Sequence, residues 1–324
     1  MRAERLDVPL GRGAPGLGAR LLDRWQRFFD GDLWHSFKRS PVTIVAFVVT
    51  MAMFAVALLA PWLAPHNTYD LASLNLLDAF RPPAWAAGGD ASFPLGTDDQ
   101  GRDVLSSIMF GLRISLLVGF AAVVLAAVVG TVLGLLSGYL GGMLDSFIMR
   151  VADIQLTFPA ILIALLIDGI ARSVLPAAVA RDFKLTVLVL AIAASQWVNF
   201  ARTVRGSTMV EKNKEYVQAA KVIGIHPVLI MLRHVLPNVM GPVLVIGTLS
   251  LAIAILTEAT LSFLGVGVPV TRPSLGTLIR IGNDFLFSGE WWMTIFPGVA
   301  LVVLVLAVNL LGDWLRDALN PKLR

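Results

Sequence analysis

Six long apolar segments decide what this chain can become. They cover residues 42–63, 114–138, 154–171, 185–201, 239–264 and 294–311. A helix of about 20 residues crosses the ~30 Å hydrocarbon layer of a bilayer, where backbone polar groups must find partners within the protein. Each segment is long enough or nearly so; the third, short as drawn, is expected to begin nearer Phe147. With 56% hydrophobic and 15% charged residues, the 324-residue chain is too apolar for a soluble domain. We expect an all-α, polytopic membrane protein with six transmembrane helices. Trp62, Trp291, Trp292 and Trp314 fall at segment ends, as interfacial aromatic belts do.

The basic residues orient these spans. With the N-terminus inside, 18 of the 26 Lys and Arg lie in inside segments and 8 in outside ones. Positive charge concentrates on the cytoplasmic side, so both termini are expected there. Residues 1–40 hold eight of these cations. Their first half is rich in Gly and Pro. Leu21, Leu22, Trp25, Phe28 and Phe29 then mark one helical face, which suits a helix lying on the membrane surface. No apolar run sits near Met1, so the first span is expected to serve as its own insertion signal. We divide the chain into an arm (1–40), a first span with its external loop (41–111), and a five-helix core (112–324).

One cytoplasmic stretch is too polar to cross a bilayer and too regular for a linker. It is EKNKEYVQAAKVIGIHPVLIMLRHVLPN, residues 211–238. Val217, Ala220 and Gly224 share helical spacing, as do Val228, Leu229, Leu232 and Val235. Gly224 separates the runs, Pro227 can open the second, and Pro237 is expected to end it. The expectation is a helix, a tight glycine turn and a second short helix. On pattern alone this could be an interfacial hairpin without a partner.

Gln218-Ala219-Ala220, then Gly224, then Leu236-Pro237 resemble the EAA loop of bacterial ABC importer permeases. Gln218 replaces that motif's glutamate and His234 a usual isoleucine. Further motifs, LGTD-x-x-GRDVLS from residue 95, EATLSFLGVGVP from 258 and NLLGDWLRDALNP from 309, are similar to the dipeptide, oligopeptide and nickel branch, in its second-permease form. The resemblance spans about Lys38 to Pro321. It implies a homologous second permease, two cytoplasmic ATPase subunits, and a periplasmic or lipid-anchored binding protein. It implies di- or oligopeptide cargo; nickel complexes and glutathione-like peptides belong to related systems. ATP and Mg would be used by the ATPase subunits, with no cofactor on this chain. No nucleic-acid partner is expected, and membrane lipid surrounds the spans. Glu215, Tyr216, Gln218, Ala219, Ala220, Gly224, Leu236 and Pro237 would form the ATPase-coupling loop.

Other residues carry readings of their own. Gly130, Gly134 and Gly138 form a small-residue stripe, a packing seam within the subunit or against a partner. Val104, Leu105, Ile108, Met109 and Leu112 predict a separate amphipathic helix on the outer surface. Arg102 and Asp103 suggest a local ion pair at its start. Arg150 and Asp153, at i and i+3, can pair on one helix. Pro159 should kink the third span, and Asp168 lies near its outer end. Glu258, deep in the fifth span, could meet a peptide's amine or satisfy the glycine-rich turn that follows. No Gly-Lys dipeptide exists, which excludes a P-loop. His35, His66, His226 and His234 lack metal-ligand spacing, and no catalytic constellation stands out. A stand-alone carrier relaying protons through Asp153, Asp168 and Glu258 is the alternative class. A cytoplasmic docking hairpin argues against it.

Overall fold

The computed structural model describes residues 32–70, 74–174, 176 and 183–318, with side chains from residue 36 onward. The surface helix expected near residues 20–29 lies outside them. Ten helices follow in order among the described residues. They are α1 (Asp32–Arg39), α2 (Pro41–Leu63), α3 (Val104–Leu140), α4 (Gly142–Leu156), α5 (Ala160–Val174), α6 (Lys184–Glu211), α7 (Glu215–Val222), α8 (Pro227–Phe263), α9 (Leu275–Phe285) and α10 (Trp292–Ala318).

Local chemistry sets the boundaries. Ser40 caps α2 by accepting from the Thr43 amide, and Pro41 occupies the first turn, where no intrahelical N–H is needed. Asp103 caps α3 through the Ser106 amide, and Gly141 and Gly142, at φ +68° and +62°, close it. Ser274 caps α9 by accepting from Thr277.

Five helices, α2, α3, α6, α8 and α10, are long and apolar enough to span a bilayer singly. Helices α4 and α5 reach that length and apolarity only as a pair, bent by 95° at a short break, and make a sixth span where the pair counts as one. Here the expected kink is a full break. Pro159 offers no amide, and Thr157 and Phe158 turn back onto the carbonyls of Ile154 and Gln155.

Two further expectations are corrected. The segment from Val104 to Leu112 is not a separate surface helix. It is the N-terminal part of α3, which runs unbroken for 37 residues, about 55 Å at ~1.5 Å per residue. Its apolar face is buried against α9 and α10 rather than laid on a membrane surface. Likewise Pro237 does not end the second hairpin helix. A π-helical turn over Met231–Val235 carries the chain from α8's first turn into the fifth span, with the Leu236 amide bonded to the Met231 carbonyl. That extra residue accommodates the proline, which cannot donate and crowds the carbonyl four residues back.

Two apolar clusters hold the bundle. One joins α3, α5, α6, α7 and α8 around Val118, Ile192, Phe200 and Ile230. The other joins α2, α3, α8, α9 and α10 around Ile108, Ile255, Leu275 and Leu304. Helices α3 and α8 belong to both and form the spine. The glycine stripe lies on α3 against α6. A Cβ at Gly130 would stand 2.5 Å from the Trp197 carbonyl oxygen, and one at Gly138 2.8 Å from that of Arg205. The seam is therefore internal to the subunit.

Candidate functional site

The hairpin is built on one glycine. Gly224 has φ +85° and nothing within 4 Å of where a Cβ would stand. Its role is thus conformational, not a matter of close approach. Its amide bonds the Lys221 carbonyl at 3.0 Å, and the Ile225 amide bonds that of Ala220 at 3.1 Å. This double bond pattern is a Schellman closure, which turns the chain from α7 into α8. His226 accepts from the Val228 amide at the start of α8.

The two helices close on apolar contacts. Val217, Ala220, Ile230 and Val235 are buried in the same core cluster. Ala220 therefore faces this chain's own interior, where it packs α7 onto α8. Val222 and Ile223, at the tip of α7, point outward with 88% and 77% of their surface exposed. Ala219 and Gln218 are exposed beside them, and the Gln218 amide nitrogen donates to the Lys212 carbonyl at 2.8 Å. Sequence reasoning overlooked Val222 and Ile223; an apolar pair against the helical register was the available signal.

A polar clasp fixes the hairpin to the spans. Tyr216 donates its hydroxyl to Glu211, and Asn238 donates to Tyr216 at 3.0 Å and to the His234 carbonyl at 2.7 Å. Burial first, then the bond to Glu211 and that carboxylate's charge, push the Tyr216 phenol up to about 12. Glu211 also pairs with Lys214 at 2.7 Å. The Lys212 ammonium donates to the Gly138 carbonyl at 2.7 Å, and that of Lys221 lies 5.4 Å from the Tyr139 ring centre. Glu215 is exposed, Leu236 half-buried and Pro237 exposed along the α8 edge of the clasp.

From the hairpin, α8 runs unbroken to the opposite end of the bundle. Glu258 lies there with no exposed surface. It accepts from Ser115 of α3 and from Ser262, both at 2.7 Å. Ser262 in turn accepts from the Val268 amide at 3.3 Å. The carboxylate thus serves the glycine-rich turn through a serine, not directly, and it also ties α8 to α3.

The other charges pair across helices. Asp153 pairs with Arg202 of α6 and not with Arg150, which is exposed on α4. An i, i+3 pair competes poorly when a partner helix offers a guanidinium. Asp145 takes a bidentate bond from Arg205, at 2.6 and 2.8 Å. Arg102 is 1% exposed and binds Asp98 at 2.6 Å and the Val270 carbonyl at 2.9 Å. Asp103 instead caps α3, so the local Arg102–Asp103 pair is also corrected. Asp168 pairs with Arg172 at 2.5 Å.

At the break between α4 and α5 lies a cavity of about 490 Å³, lined by Leu125, Val129, Phe158, Ile163, Leu190 and neighbours. Its polar edge is Gln155, which donates to the Ala194 carbonyl and accepts from the Trp197 indole at 2.7 Å. Broken helices at membrane depth occur where backbone lines a cavity or is buried in protein.

Among the described residues, long apolar helices bundled together, with a clasped hairpin at one end, have the architecture of a multi-pass membrane protein. Residues 130–324 match the family described as binding-protein-dependent transport system inner membrane component, and the chain belongs to that family. Residues 23–83 match the N-terminal transmembrane domain of oligopeptide transport permease C. The chain is 44% identical over 294 residues to the dipeptide transport system permease protein DppC of Escherichia coli K12, covering 90% of this chain and 93% of that one. It is 38% identical to the di/tripeptide transport system permease protein DppC of Pseudomonas aeruginosa, covering 90% and 92%. Among solved structures, it shares a fold with a chain of the MetNI methionine ABC transporter in an inward-facing conformation. The TM-score is 0.51 at 18% identity, over 66% of this chain and 96% of the other. The chain is a multi-pass inner-membrane protein of an ABC importer.

Proposed function

We propose that this chain is one of two permease subunits of an ATP-driven importer of di- or oligopeptides. Two ATPase subunits act inside, using ATP and Mg, and a binding protein delivers peptide outside. The chain itself provides half the pathway and no cofactor site. The observation that carries this reading is the mechanical continuity between the hairpin tip and the outer face. Val222 and Ile223 stand exposed on α7, Gly224 sets the angle to α8, and α8 runs without interruption to Glu258. A push on the hairpin moves a rigid helix whose far end is bonded to α3 and the outer turn. The spans then alternate between openings on the two sides. The names of the relatives support peptide cargo over nickel complexes.

Ile223→Asp tests the docking face. It places a charge on an exposed position, so the subunit should fold and insert normally. The ATPase subunits should no longer co-purify, and peptide uptake should fall to background. Full assembly with full uptake would refute the coupling role.

The orientation follows from the basic residues, with both termini and the hairpin cytoplasmic. Cysteines placed singly at Ser92 and Asn213 and treated in whole cells with an impermeant reagent should react at Ser92 alone. Labelling at Asn213 from outside would reverse the topology.

A further inference from the structure

We propose that the turn at residues 82–89, carried on the loop between α2 and α3, is a lipid anchor. Its Trp85 seats in the bilayer interface at the end of the bundle opposite the hairpin, and ties that loop to the membrane. Nothing here depends on the cargo or partners proposed above, only on the chain's spanning a membrane. Residues 82–89 read PPAWAAGG and carry no charge. The charges that flank them are paired: Arg81 bridges Asp90 at 2.6 Å, closing the base of the turn, and Asp78 at 2.5 Å. An uncharged, closed turn can enter an apolar boundary without burying an unpaired charge. Its backbone is also largely satisfied by protein. Pro82 and Pro83 have no amide to donate, and the amides of Ala84, Ala86 and Gly89 bond the carbonyls of Pro94, Pro83 and Ala86 at 3.3, 2.8 and 2.9 Å. Trp85 projects from this turn with 65% of its surface exposed.

The contacts of Trp85 identify its surroundings. Its ring meets that of Phe296 edge-on, with 5.9 Å between centres. Phe296 lies near the start of α10 and also meets Trp291, at 5.6 Å. Trp291 heads a row of exposed side chains that continues down α10 as Ile295, Val299, Val302 and Leu306. Those positions recur at helical spacing and mark one face of a span. Every one of the four is a branched hydrocarbon. Helices that pack together in a membrane use small or polar residues at their contacts, as α3 does against α6 at Gly130, Gly134 and Gly138. The α10 face therefore suits acyl chains rather than a second permease. Tryptophan at the head of such a face belongs to the headgroup layer, where the apolar ring is covered and the indole N–H stays near water. Trp85, packed on the same Phe296 as Trp291, extends that belt from the span onto the loop.

The test labels the turn in the complete transporter, reconstituted in nanodiscs of zwitterionic lipid with cysteine-free partner subunits. This chain has no cysteine of its own, so Ala87→Cys gives a unique site for a fluorophore on the turn that carries Trp85. The label should be quenched by lipid bearing a nitroxide near its headgroup, less by lipid bearing it at the chain end, and hardly by aqueous iodide. Adding Trp85→Ala should abolish the lipid quenching and open the label to iodide, whereas Trp85→Phe should keep most of it. The substituted side chain is largely exposed, so both variants should fold and assemble. Iodide quenching with Trp85 in place would put the turn in water and overturn the inference. Shielding from both quenchers would mean that a partner protein covers the turn, which overturns it equally. So would lipid quenching that survives Trp85→Ala, because the turn would then reach the membrane without its tryptophan.

Discussion

Gly134→Val is expected to remove most folded subunit from the membrane. A Cβ at this position would stand 2.6 Å from the Ala201 carbonyl oxygen and 2.8 Å from the Val204 Cβ. Those atoms belong to the backbone and stem of α6, so no rotamer change relieves the clash. Helix α3 and helix α6 must separate along their whole seam, which Gly130 and Gly138 also line. Overpacking costs typically ~1–3 kcal/mol, and backbone clashes lie at the upper end. Lipid adds to the effect, because helices in a bilayer associate through close packing without a hydrophobic drive. Gly206→Val is the control, since nothing lies within 4 Å of its Cβ position. Membrane yield and thermal stability in detergent should fall sharply for the first variant and hardly for the second. Comparable yields would mean that the helices are farther apart than described.

The second large effect is expected at Arg102. Arg102→Ala leaves Asp98, itself 4% exposed, as a buried charge without its guanidinium. Removing one partner of a buried ion pair costs ~3–5 kcal/mol. The same change cuts the bond to the Val270 carbonyl, which holds the outer loop against the turn between α8 and α9. The variant should insert, with its loop at residues 74–103 readily cleaved by added protease. Arg102→Met with Asp98→Asn should recover part of the resistance, because it removes the stranded charge. Equal cleavage of wild type and Arg102→Ala would show that the loop is held by other contacts.

The spans, the glycine turn and the family were legible in the sequence because each is a local pattern. Apolar length marks a span. A lone glycine between two helical runs marks a turn, and Gly224 sits at φ +85° as such a turn requires. Cross-helix pairing was not legible. Asp153 has Arg150 three residues away, and its partner Arg202 is 49 residues away. The inward direction of Ala220 was not legible either; only the packing of α7 on α8 shows it. Pro237 misled for a related reason. Its cost to a helix is local, and the π-helical turn that absorbs it depends on five residues with no distinctive composition.

That turn has a consequence for how the hairpin and the fifth span are phased. Successive residues of an α-helix advance by about 100° around the axis. The additional residue within Met231–Val235 therefore sets the bearing of the α7 tip relative to the face that carries Glu258. Shortening the turn by one residue to regular helix would keep every contact type available to α7 and α8. It would swing Val222 and Ile223 about 100° around the shaft, so that the same docking pair is presented in a different direction.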